Sequence, residues 1–230
     1  MVDNIYLQFT KDIVIRQRVG IPMGTNCAVF VANLYCFSYE FEFISQLVNL
    51  NKIELLKSFK YTLRFVDDLL SLDNPNFSKY LYRSKLTSGV RGIYPDFLEL
   101  KIEQDSTHKV TFLDTEIEHV NNRWFTKIYD KREHPPLSSI KQRKYPCPSS
   151  FISDTAKFGV ITSRLHCFNR ICMRREDFIQ RANLFLLEFL DKGYSRREVT
   201  SYVCRFLKSV PNNNFHIKNI KQFARKLTSR

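Results

Sequence analysis

Two adjacent carboxylates, Asp67 and Asp68, interrupt a stretch of bulky apolar residues. On either side, apolar residues follow the two-residue period of a β-strand. The alternating positions are Leu63, Phe65, Leu70 and Leu72. The segment therefore predicts a β-hairpin that holds an acidic pair at its exposed tip. Carboxylate oxygens are the hard ligands that Mg²⁺ prefers, although Asp is also common in ordinary solvated turns.

The size and composition of the chain indicate a folded protein. Its 230 residues are 43% hydrophobic, which is enough to bury the core of one large domain or two small ones. The longest uncharged apolar stretch, Cys27 to Tyr39, is interrupted by Asn33 and is too short to cross a bilayer. The N-terminus lacks a signal-peptide pattern. We therefore expect an intracellular protein without a membrane partner.

The six cysteines show no CxxC pair and no disulfide framework spacing. They are therefore predicted to be reduced and buried thiols. A zinc site built from His166, Cys167 and Cys172 is an alternative, but no second ligand pair lies nearby in the sequence.

Positive charge is concentrated in the second half of the chain. The net charge is +13, yet residues 1–120 hold 13 Lys and Arg against 15 Asp and Glu, whereas residues 121–230 hold 23 against 8. A surplus of that size in one half is typical of a surface that binds a polyanion, with counterion release supplying much of the affinity. A generic basic surface that maintains solubility is the alternative.

Periodicity predicts an α+β organisation for the first part of the chain. A helical apolar stripe and two good N-cap residues predict a helix from Thr25 or Asn26 to about Leu50. After the acidic hairpin, the pattern predicts a short helix at Phe77 to Leu86 and a strand at Phe97 to Ile102. Further strands are predicted at Val110 to Phe112, Glu116 to Val120 and Arg123 to Tyr129, with a hairpin turn at Asn121-Asn122.

The remaining sequence predicts a basic helical domain. Glu133 to Pro148 holds four of the eight prolines, which is typical of a linker or clamp loop and marks the predicted domain boundary. An apolar face predicts a helix that ends at Lys192-Gly193, and Ser195 with Glu198 forms a capping box that opens another helix. This apolar face comprises Phe178, Ala182, Phe185, Leu186, Phe189 and Leu190. From Pro211 onward amphipathicity is weak, and these residues are predicted to be loosely held.

A glycine loop, Gly20-Ile-Pro-Met-Gly24, leads directly into the first long helix. Glycine permits a ligand to approach the backbone closely, and the unpaired N–H groups at a helix start favour anions. A loop with two glycines is also typical of a simple tight turn. The order of features is more informative than the loop alone: a glycine loop, a long helix, and an aromatic-x-Asp-Asp hairpin about forty residues later.

This order, and the residues themselves, resemble the palm of reverse transcriptases, particularly those of Penelope-like retroelements. Gly20 to Ala28 reads Gly-Ile-Pro-Met-Gly-Thr-Asn-Cys-Ala and is followed by Tyr39-Glu40, as in that family. Arg64 to Asp68 is similar to the metal-binding hairpin of the family, and Phe112 to Asp114 is similar to its primer-grip region. The connection into the family's helical thumb is similar to Lys127 to Arg132, the proline-rich loop and Phe158 to Leu165.

The resemblance implies an α+β fold in two parts. Residues 1–132 would form a partial palm, with an antiparallel sheet and packed helices, and residues 133–230 a basic, helical, thumb-like domain. It implies RNA-directed DNA polymerisation, in which a primer hydroxyl attacks the α-phosphate of a nucleotide and two metal ions stabilise the attacking and leaving oxygens. An RNA template and a DNA primer are the implied partners, Mg²⁺ or Mn²⁺ the implied cofactor, and the nucleus the expected location.

The same resemblance assigns candidate site residues. Asp67 and Asp68 would be the catalytic carboxylates and metal ligands, with Asp67 as the principal ligand. The nucleotide and template pocket would comprise Gln17, Gly20, Pro22, Met23, Gly24 and Phe65. The primer grip would comprise Phe112, Leu113 and Asp114. The nucleic-acid backbone would be held, through phosphate contacts independent of sequence, by Arg164, Arg170, Arg174 and Arg175, for which a solvated helix face is the alternative.

One catalytic residue of the family has no clear counterpart. The family has a further aspartate on a strand well upstream of the glycine loop, whereas nineteen residues precede Gly20 here, and Asp3 and Asp12 are the acidic ones. A two-metal centre without a bridging carboxylate loses most of its activity. We therefore expect a truncated reverse transcriptase that is inactive as this chain alone.

Three other interpretations stay open. The first is a basic domain that binds RNA or DNA without catalysis. The second is that this reading frame belongs to a longer gene whose upstream exon carries the rest of the palm. The third is a metal-dependent nuclease that uses Asp67, Asp68 and Asp114, although nothing in the sequence supplies a general base.

Overall fold

The computed structural model describes residues 5–8, 10–17, 20, 26–103, 108–139, 145–210 and 220–228. This part of the chain is a mixed α+β protein with small antiparallel sheets and several helices, so the α+β fold class is confirmed at this coarse level. By compactness the chain divides into Met1–Ile102 and Glu103–Arg230, which we call the first and the second unit. None of the described helices is long and apolar enough to cross a membrane.

In its described residues, the first unit consists of three two-stranded hairpins and two α-helices. The strands are β1 (Ile5–Gln8), β2 (Val14–Gln17), β3 (Thr62–Phe65), β4 (Asp68–Ser71), β5 (Leu86–Thr87) and β6 (Val90–Arg91), and the helices are α1 (Ala28–Asn49) and α2 (Ile53–Ser58). β1 pairs with β2, β3 with β4 and β5 with β6, in each case in antiparallel fashion. A single turn of 3-10 helix covers Phe77–Tyr80.

One side of α1 supports the core of the first unit. Phe43 and Leu47 on this helix are almost fully buried, and the ring of Phe43 meets that of Phe59 edge to face with their centroids 5.0 Å apart. The opposite side of α1 is open, because large apolar side chains there are more than half exposed. These exposed side chains are Val29, Phe30, Leu34, Phe37, Phe41 and Val48.

In the part that the structure describes, the second unit combines a three-stranded sheet with four α-helices. The strands are β7 (Lys109–Phe112), β8 (Thr115–Val120) and β9 (Arg123–Ile128), in the order β7-β8-β9, and the helices are α3 (Asp154–Ile171), α4 (Arg175–Asp191), α5 (Arg196–Ser209) and α6 (Ile220–Leu227). Single 3-10 turns cover Lys131–Glu133 and Leu137–Ser139.

The four helices of the second unit share one apolar core. The apolar face predicted for α4 is confirmed, because five of its six residues are buried and the sixth packs against them. The fully buried side chains of the other helices include Ile161, Leu165, Val199, Val203 and Ala224. Full burial of one such Leu, Ile or Phe side chain contributes about 1.5 to 3 kcal/mol, so this core is the main source of stability here.

The strand predicted at Phe97 to Ile102 is wrong, because these residues form turns and irregular backbone. The Leu98 N–H donates to the Pro95 carbonyl over 3.0 Å, which turns the chain at this point. Leu98 and Leu100 nevertheless pack against the core cluster of the first unit. Their apolar side chains are therefore partly buried although the segment is not a strand.

The helix predicted at Phe77 to Leu86 is limited to one 3-10 turn. The Tyr80 and Leu81 carbonyls accept hydrogen bonds from the N–H groups of Ile93 and Tyr94, each over 2.7 Å. These carbonyls are therefore not available to continue a helix. The prediction failed because the competing donors come from a distant part of the sequence.

Two helix predictions need correction at their ends. α1 begins at Ala28 with Cys27 in the N-cap position, after the predicted cap Asn26, whereas Thr25 lies outside the described residues. α5 begins directly after Ser195 as predicted, but the Ser195 side chain makes no capping hydrogen bond. The residues after Pro211 were expected to be loosely held, yet they include α6, which buries Ala224 in the core.

The compact units do not divide the chain at the predicted domain boundary after residue 132. Residues 103–132 group with the helical part because β9 packs at the junction of α3 and α4. The Thr126 hydroxyl donates to the Ile171 carbonyl, and the Met173 N–H donates to the Thr126 carbonyl over 3.0 Å. The hairpin of β1 and β2 is a further element that sequence periodicity missed.

Candidate functional site

The predicted acidic hairpin is present and has the shortest common type of turn. Phe65 at the end of β3 pairs with Asp68 at the start of β4, so Val66 and Asp67 alone form the turn. Both carboxylates are exposed. Phe65 is 56% exposed next to them. The tip of the hairpin therefore presents two carboxylates and one aromatic ring to solvent.

The backbone of this turn is in an unfavourable conformation at Val66. Its φ of 57° lies in the left-handed region. Two-residue hairpin turns require this region and normally place Asn, Asp or Gly there, whereas a β-branched residue is strained in it. The Arg64 Nη1 donates to the Val66 carbonyl over 3.1 Å. The strained turn is thus tied to the side chain of a residue in β3.

Arg64 anchors the hairpin to α1. Its Nε donates to Glu40 Oε1 over 2.5 Å, and its Nη2 donates to Glu40 Oε2 over 3.3 Å. Asn33 accepts two more hydrogen bonds from the same guanidinium, at Oδ1 over 2.6 Å and at its carbonyl over 3.1 Å. The Arg64 side chain is only 11% exposed. The bidentate pair and the two contacts to Asn33 therefore fix the position of the acidic turn.

Both oxygens of the Glu40 carboxylate accept hydrogen bonds from residues of the first unit. Besides the pair with Arg64, Glu40 Oε1 accepts a hydrogen bond from the Tyr94 hydroxyl over 2.6 Å. The hydrogen bond from Arg64 to Glu40 raises the pKa of the guanidinium, although burial opposes this shift. Burial and then the bond to Glu40 raise the pKa of Tyr94. Arg64 therefore stays charged and Tyr94 stays neutral across the physiological range.

The glycine loop is described only at its edge. Gln17 ends β2 and is half-buried, and Gly20 is exposed with a φ of 95° that favours glycine. A Cβ on Gly20 would lie 3.4 Å from the Gln17 Nε2, so the two predicted residues are neighbours. Pro22, Met23 and Gly24 lie outside the described residues, and their predicted role stays a prediction.

The predicted primer-grip residues form a turn much like the acidic one. Phe112 pairs with Thr115 in the β7–β8 hairpin, so Leu113 and Asp114 make a two-residue turn. Leu113 has a φ of 56°, and Asp114 is exposed. The Tyr129 N–H donates to the Asp114 carbonyl over 2.9 Å, which ties this turn to the end of β9. Asp114 belongs to the second unit, whereas Asp67 and Asp68 belong to the first.

Two of the four predicted backbone-binding arginines, Arg174 and Arg175, lie at the start of α4 and contact other residues of the second unit. Arg174 Nε lies 2.7 Å from Asp177 Oδ2 and Arg174 Nη2 lies 3.0 Å from Glu118 Oε2. These carboxylates raise the pKa of Arg174, with the Asp177 hydrogen bond as the largest cause. Arg175 is exposed, and its guanidinium lies 5.8 Å from the centroid of the Phe223 ring. A phosphate at Arg174 would thus compete with two carboxylates, whereas Arg175 remains accessible.

The other two predicted arginines, Arg164 and Arg170, lie together at a cavity beside the end of α5. The alternative zinc group is not formed, because Cys172 is buried in the core and His166 is exposed. Among the described residues, no three His, Cys, Asp or Glu side chains lie close enough to hold a metal ion. None of the six cysteines forms a disulfide bond. Cys172 is buried as predicted, whereas the prediction of burial is wrong for Cys27 and Cys147, which are exposed.

Sequence analysis missed the residues that support the acidic turn. Asn33, Glu40 and Tyr94 surround Arg64, but they lie 31, 24 and 30 residues from it along the chain. One signal was available: Arg64 alternates with Leu63 and Phe65 in β3, so it must face the opposite side of the hairpin. In the structure Leu63 and Phe65 are exposed, and the charged residue is the one that faces α1.

Comparison of the chain with protein-family models, with curated proteins and with solved structures gave no match. The function therefore has to follow from the geometry and charge of the chain itself. The relevant features are the anchored acidic turn of the first unit and the arginines of the second.

Proposed function

We propose that this chain is a domain of reverse-transcriptase type that binds nucleic acid. In this proposal the first unit is a palm remnant with β3–β4 as its metal-binding hairpin, and α3 to α6 form a thumb-like part. The observation that carries the proposal is the anchored turn, in which a buried arginine holds two adjacent exposed carboxylates in a strained backbone. A merely solvated turn does not require such support, whereas a ligand-binding one does.

Asp67 and Asp68 suit a magnesium ion that arrives with a phosphate ligand. Protein sites for Mg²⁺ commonly supply one or two carboxylates, and water and substrate phosphates complete the octahedron. Both carboxylates are exposed, and neither forms an ion pair with a described residue. When bound there, the ion would stabilise negative charge on the attacking and leaving oxygens of a phosphoryl group. Asp67 and Asp68 would hold it, and Phe65 would contact the nucleotide or template.

The charge of the second unit favours a polyanion as its partner. Residues 103–230 contain 24 Lys and Arg against 13 Asp and Glu. Several of the carboxylates are paired internally, including Glu116 with Lys109 and Lys127, each over 2.9 Å. Arginines and lysines without an internal carboxylate partner would form ion pairs with a phosphate backbone. Such binding would weaken steeply as the salt concentration rises.

Non-catalytic binding of RNA or DNA is the second candidate function, and one observation favours it. Arg64 connects the acidic hairpin to the carboxylate of Glu40. Both oxygens of this carboxylate accept hydrogen bonds, Oε1 from Arg64 and Tyr94 and Oε2 from Arg64. It does not join Asp67 and Asp68 as a third ligand. We therefore expect this chain alone to bind a primed template with little or no nucleotide incorporation.

The test is primer extension on an RNA template with Mg²⁺ or Mn²⁺, combined with binding of the same labelled template by fluorescence anisotropy at several salt concentrations. Three proteins are compared: wild type, Asp67→Asn and Asp73→Asn. Asp73 is a matched control because it is exposed and has a φ of 54°, which Asn tolerates. Both variants therefore lose the same charge without a change in backbone preference.

Each outcome separates the two candidates. Incorporation that disappears in Asp67→Asn and persists in Asp73→Asn establishes a polymerase site. Salt-dependent binding without incorporation, equal in all three proteins, identifies a binding domain. A chain that neither binds the template nor extends the primer would overturn the proposal in both forms.

A further inference from the structure

We propose that a cavity between α3 and the end of α5 binds one phosphate group of a phosphate ester. The cavity has a volume of about 860 Å³. It is lined on the α3 side by Ser163, Arg164, His166, Cys167, Asn169 and Arg170. The nucleic-acid source of such a phosphate rests on the proposed function, whereas the phosphate site itself does not.

The cavity follows from the way α3 divides its surface. Ile161, Leu165 and Phe168 point into the core of the second unit and are almost fully buried. Ser163, His166, Cys167 and Arg170 recur at intervals of three and four residues, which places them together on another face. Because Ser209 and Val210 at the end of α5 lie beside this face, the polar stripe forms one wall of a cavity that is open to solvent, where Ser163, His166 and Arg170 are exposed.

Two buried polar atoms in the cavity lining have no hydrogen-bond partner. They are Arg164 Nε and Asn169 Oδ1. Buried polar atoms in proteins are nearly always paired, so these two atoms show that Arg164 and Asn169 have hydrogen-bonding capacity that is not used inside the second unit. An anionic oxygen would accept from the Arg164 N–H. A side-chain amide can present either its oxygen or its nitrogen, so Asn169 can bond to the hydroxyl or to the phosphate oxygen of an ester.

The positive charge of the cavity lining favours an anionic ligand. Arg164 and Arg170 form no ion pair with any described residue, and the described lining contains no Asp or Glu. The Arg164 guanidinium hydrogen-bonds with Tyr145 and lies 5.7 Å from the centroid of the Phe168 ring, so these two neutral groups are its internal partners. Other arginines of the same unit are paired, as Arg181 is with Asp130 and Glu133. The end of α5 contributes roughly half a negative charge. Two guanidinium groups outweigh it, and their planar N–H arrangement matches phosphate.

His166 and Ser209 complete the hydrogen-bonding wall of the cavity. The His166 Nε2 lies 3.4 Å from the Ser209 Oγ, and the imidazole ring meets the Phe206 ring edge to face at 4.8 Å. The Ser209 hydroxyl donates to the Phe206 carbonyl over 2.8 Å, so it faces His166 as an acceptor. This arrangement orients the imidazole but does not create a nucleophile. The cavity is therefore suited to binding and not to hydrolysis of the ester.

Cys167 provides a direct probe of occupancy, because its half-buried thiol lines the cavity. The experiment measures the rate of alkylation of individual cysteines by iodoacetamide in the intact chain, using mass spectrometry. Inorganic phosphate, a mononucleotide and short RNA and DNA oligonucleotides are added in turn. The exposed Cys147 of the same unit is the internal control, since it does not belong to the cavity lining. We expect phosphate to slow the alkylation of Cys167 and to leave that of Cys147 unchanged.

Variants of the two arginines connect this protection to the cavity. Arg164→Gln and Arg170→Gln are each expected to weaken protection by phosphate about tenfold, equivalent to about 1.4 kcal/mol. Arg170 is exposed, so its variant keeps the test valid if Arg164→Gln does not fold. Arg197→Gln removes the same charge at the opposite end of α5 and is expected to have no effect. Protection that is absent in the wild type, or lost equally in Arg197→Gln, would overturn the site.

The oligonucleotide arms identify the source of the phosphate. Protection by RNA or DNA that is lost in the arginine variants supports a site for a backbone phosphate. Protection by phosphate and mononucleotide alone supports a site for a small phosphate ester, and in that case the proposed nucleic-acid function fails while the phosphate site stands. The two inferences are therefore separated by a single set of reactions.

Discussion

Arg64 is directed at the interior of the first unit, where its charge is balanced by a single carboxylate. The pair with Glu40 is mostly shielded from water, with side-chain exposures of 11% and 27%. A buried pair of this kind is costly to break because the remaining charge is left without a partner. The effect of removing Glu40 should therefore exceed that of removing an exposed glutamate.

Glu40→Ala is expected to lower the free energy of unfolding of the first unit by about 3 kcal/mol, because it leaves Arg64 buried and unpaired. Urea denaturation measures this, and hydrogen exchange at the Leu70 amide, which lies opposite Leu63 in the hairpin, shows whether the hairpin loosens. Glu54→Ala is the matched control, since Glu54 is 86% exposed in its contact with Lys57. That variant should change stability by no more than about 0.5 kcal/mol. Equal losses in the two variants would contradict the anchor.

Asp130 is the corresponding buried acid of the second unit. Its side chain is 7% exposed, and it accepts hydrogen bonds from Arg132 and Arg181. The Arg132 hydrogen bond is the largest cause that lowers the pKa of Asp130, and the Arg181 charge adds to it against the opposing effect of burial. Because the folded-state pKa lies below the unfolded value, the pair stabilises the fold at neutral pH.

This stabilisation is expected to be lost as the pH falls below about 4, through the unfolded-state pKa of an aspartate and towards the lower folded-state pKa. Urea midpoints measured from pH 7 down to pH 2 should therefore fall more steeply for the wild type than for Asp130→Asn. The exposed Asp114 of the same unit is the control. In Asp114→Asn the urea midpoint should fall with decreasing pH as it does in the wild type. If the urea midpoints of the wild type and Asp130→Asn fell equally between pH 7 and pH 2, Asp130 would not be a source of this pH-dependent stability.

Among the elements, those with a local signal could be predicted and those with distant partners could not. The acidic hairpin follows from alternation around a turn, and α4 follows from its apolar face. The strand at Phe97 to Ile102 failed because alternating apolar residues also suit an irregular segment that packs on a core. Which face of β3 packs against α1 depends on the contact between Arg64 and Glu40. Glu40 lies outside the strand, so the pattern within β3 does not predict this face.

The contribution of α4 to the core can be measured with two leucines of the same helix. Leu186 is fully buried, whereas Leu184 is 45% exposed. Leu186→Ala is expected to cost about 2 to 5 kcal/mol of unfolding free energy, because it removes buried surface and leaves a cavity. Leu184→Ala should cost less than about 1 kcal/mol, since half of its surface is already hydrated. Chemical denaturation of both variants checks this difference, and similar costs would show that α4 is oriented differently.

The described residues form two core clusters, each confined to one compact unit. Phe43 lies in the cluster of the first unit and Leu186 in that of the second. Clusters that share no residues are expected to open as separate cooperative units. The positive charge of the second unit could be predicted from the sequence. Which arginines are available to a ligand could not, because only the contacts show that Arg174 is paired and that Arg170 forms no ion pair with a described residue.

Hydrogen exchange followed by mass spectrometry tests this independence. Phe43→Ala should accelerate exchange within residues 26–102, and Leu186→Ala should do so within residues 145–210, because each substitution weakens only its own core. The unsubstituted unit serves as the control in each protein. Faster exchange throughout the chain in either variant would show that the two units open together.

The two-residue turn between β3 and β4 limits how this segment can vary in length. One additional residue between Phe65 and Asp68 would require either a three-residue loop with a bulge or a one-residue shift of β4. Because side chains alternate between the faces of a hairpin, the shift would turn every side chain of β4 to the opposite face. Leu70, now 5% exposed, would lose its buried position. A replacement of Asp67 or Asp68 leaves that alternation intact. The hairpin therefore tolerates a change of chemistry at its tip more readily than an insertion or a deletion there.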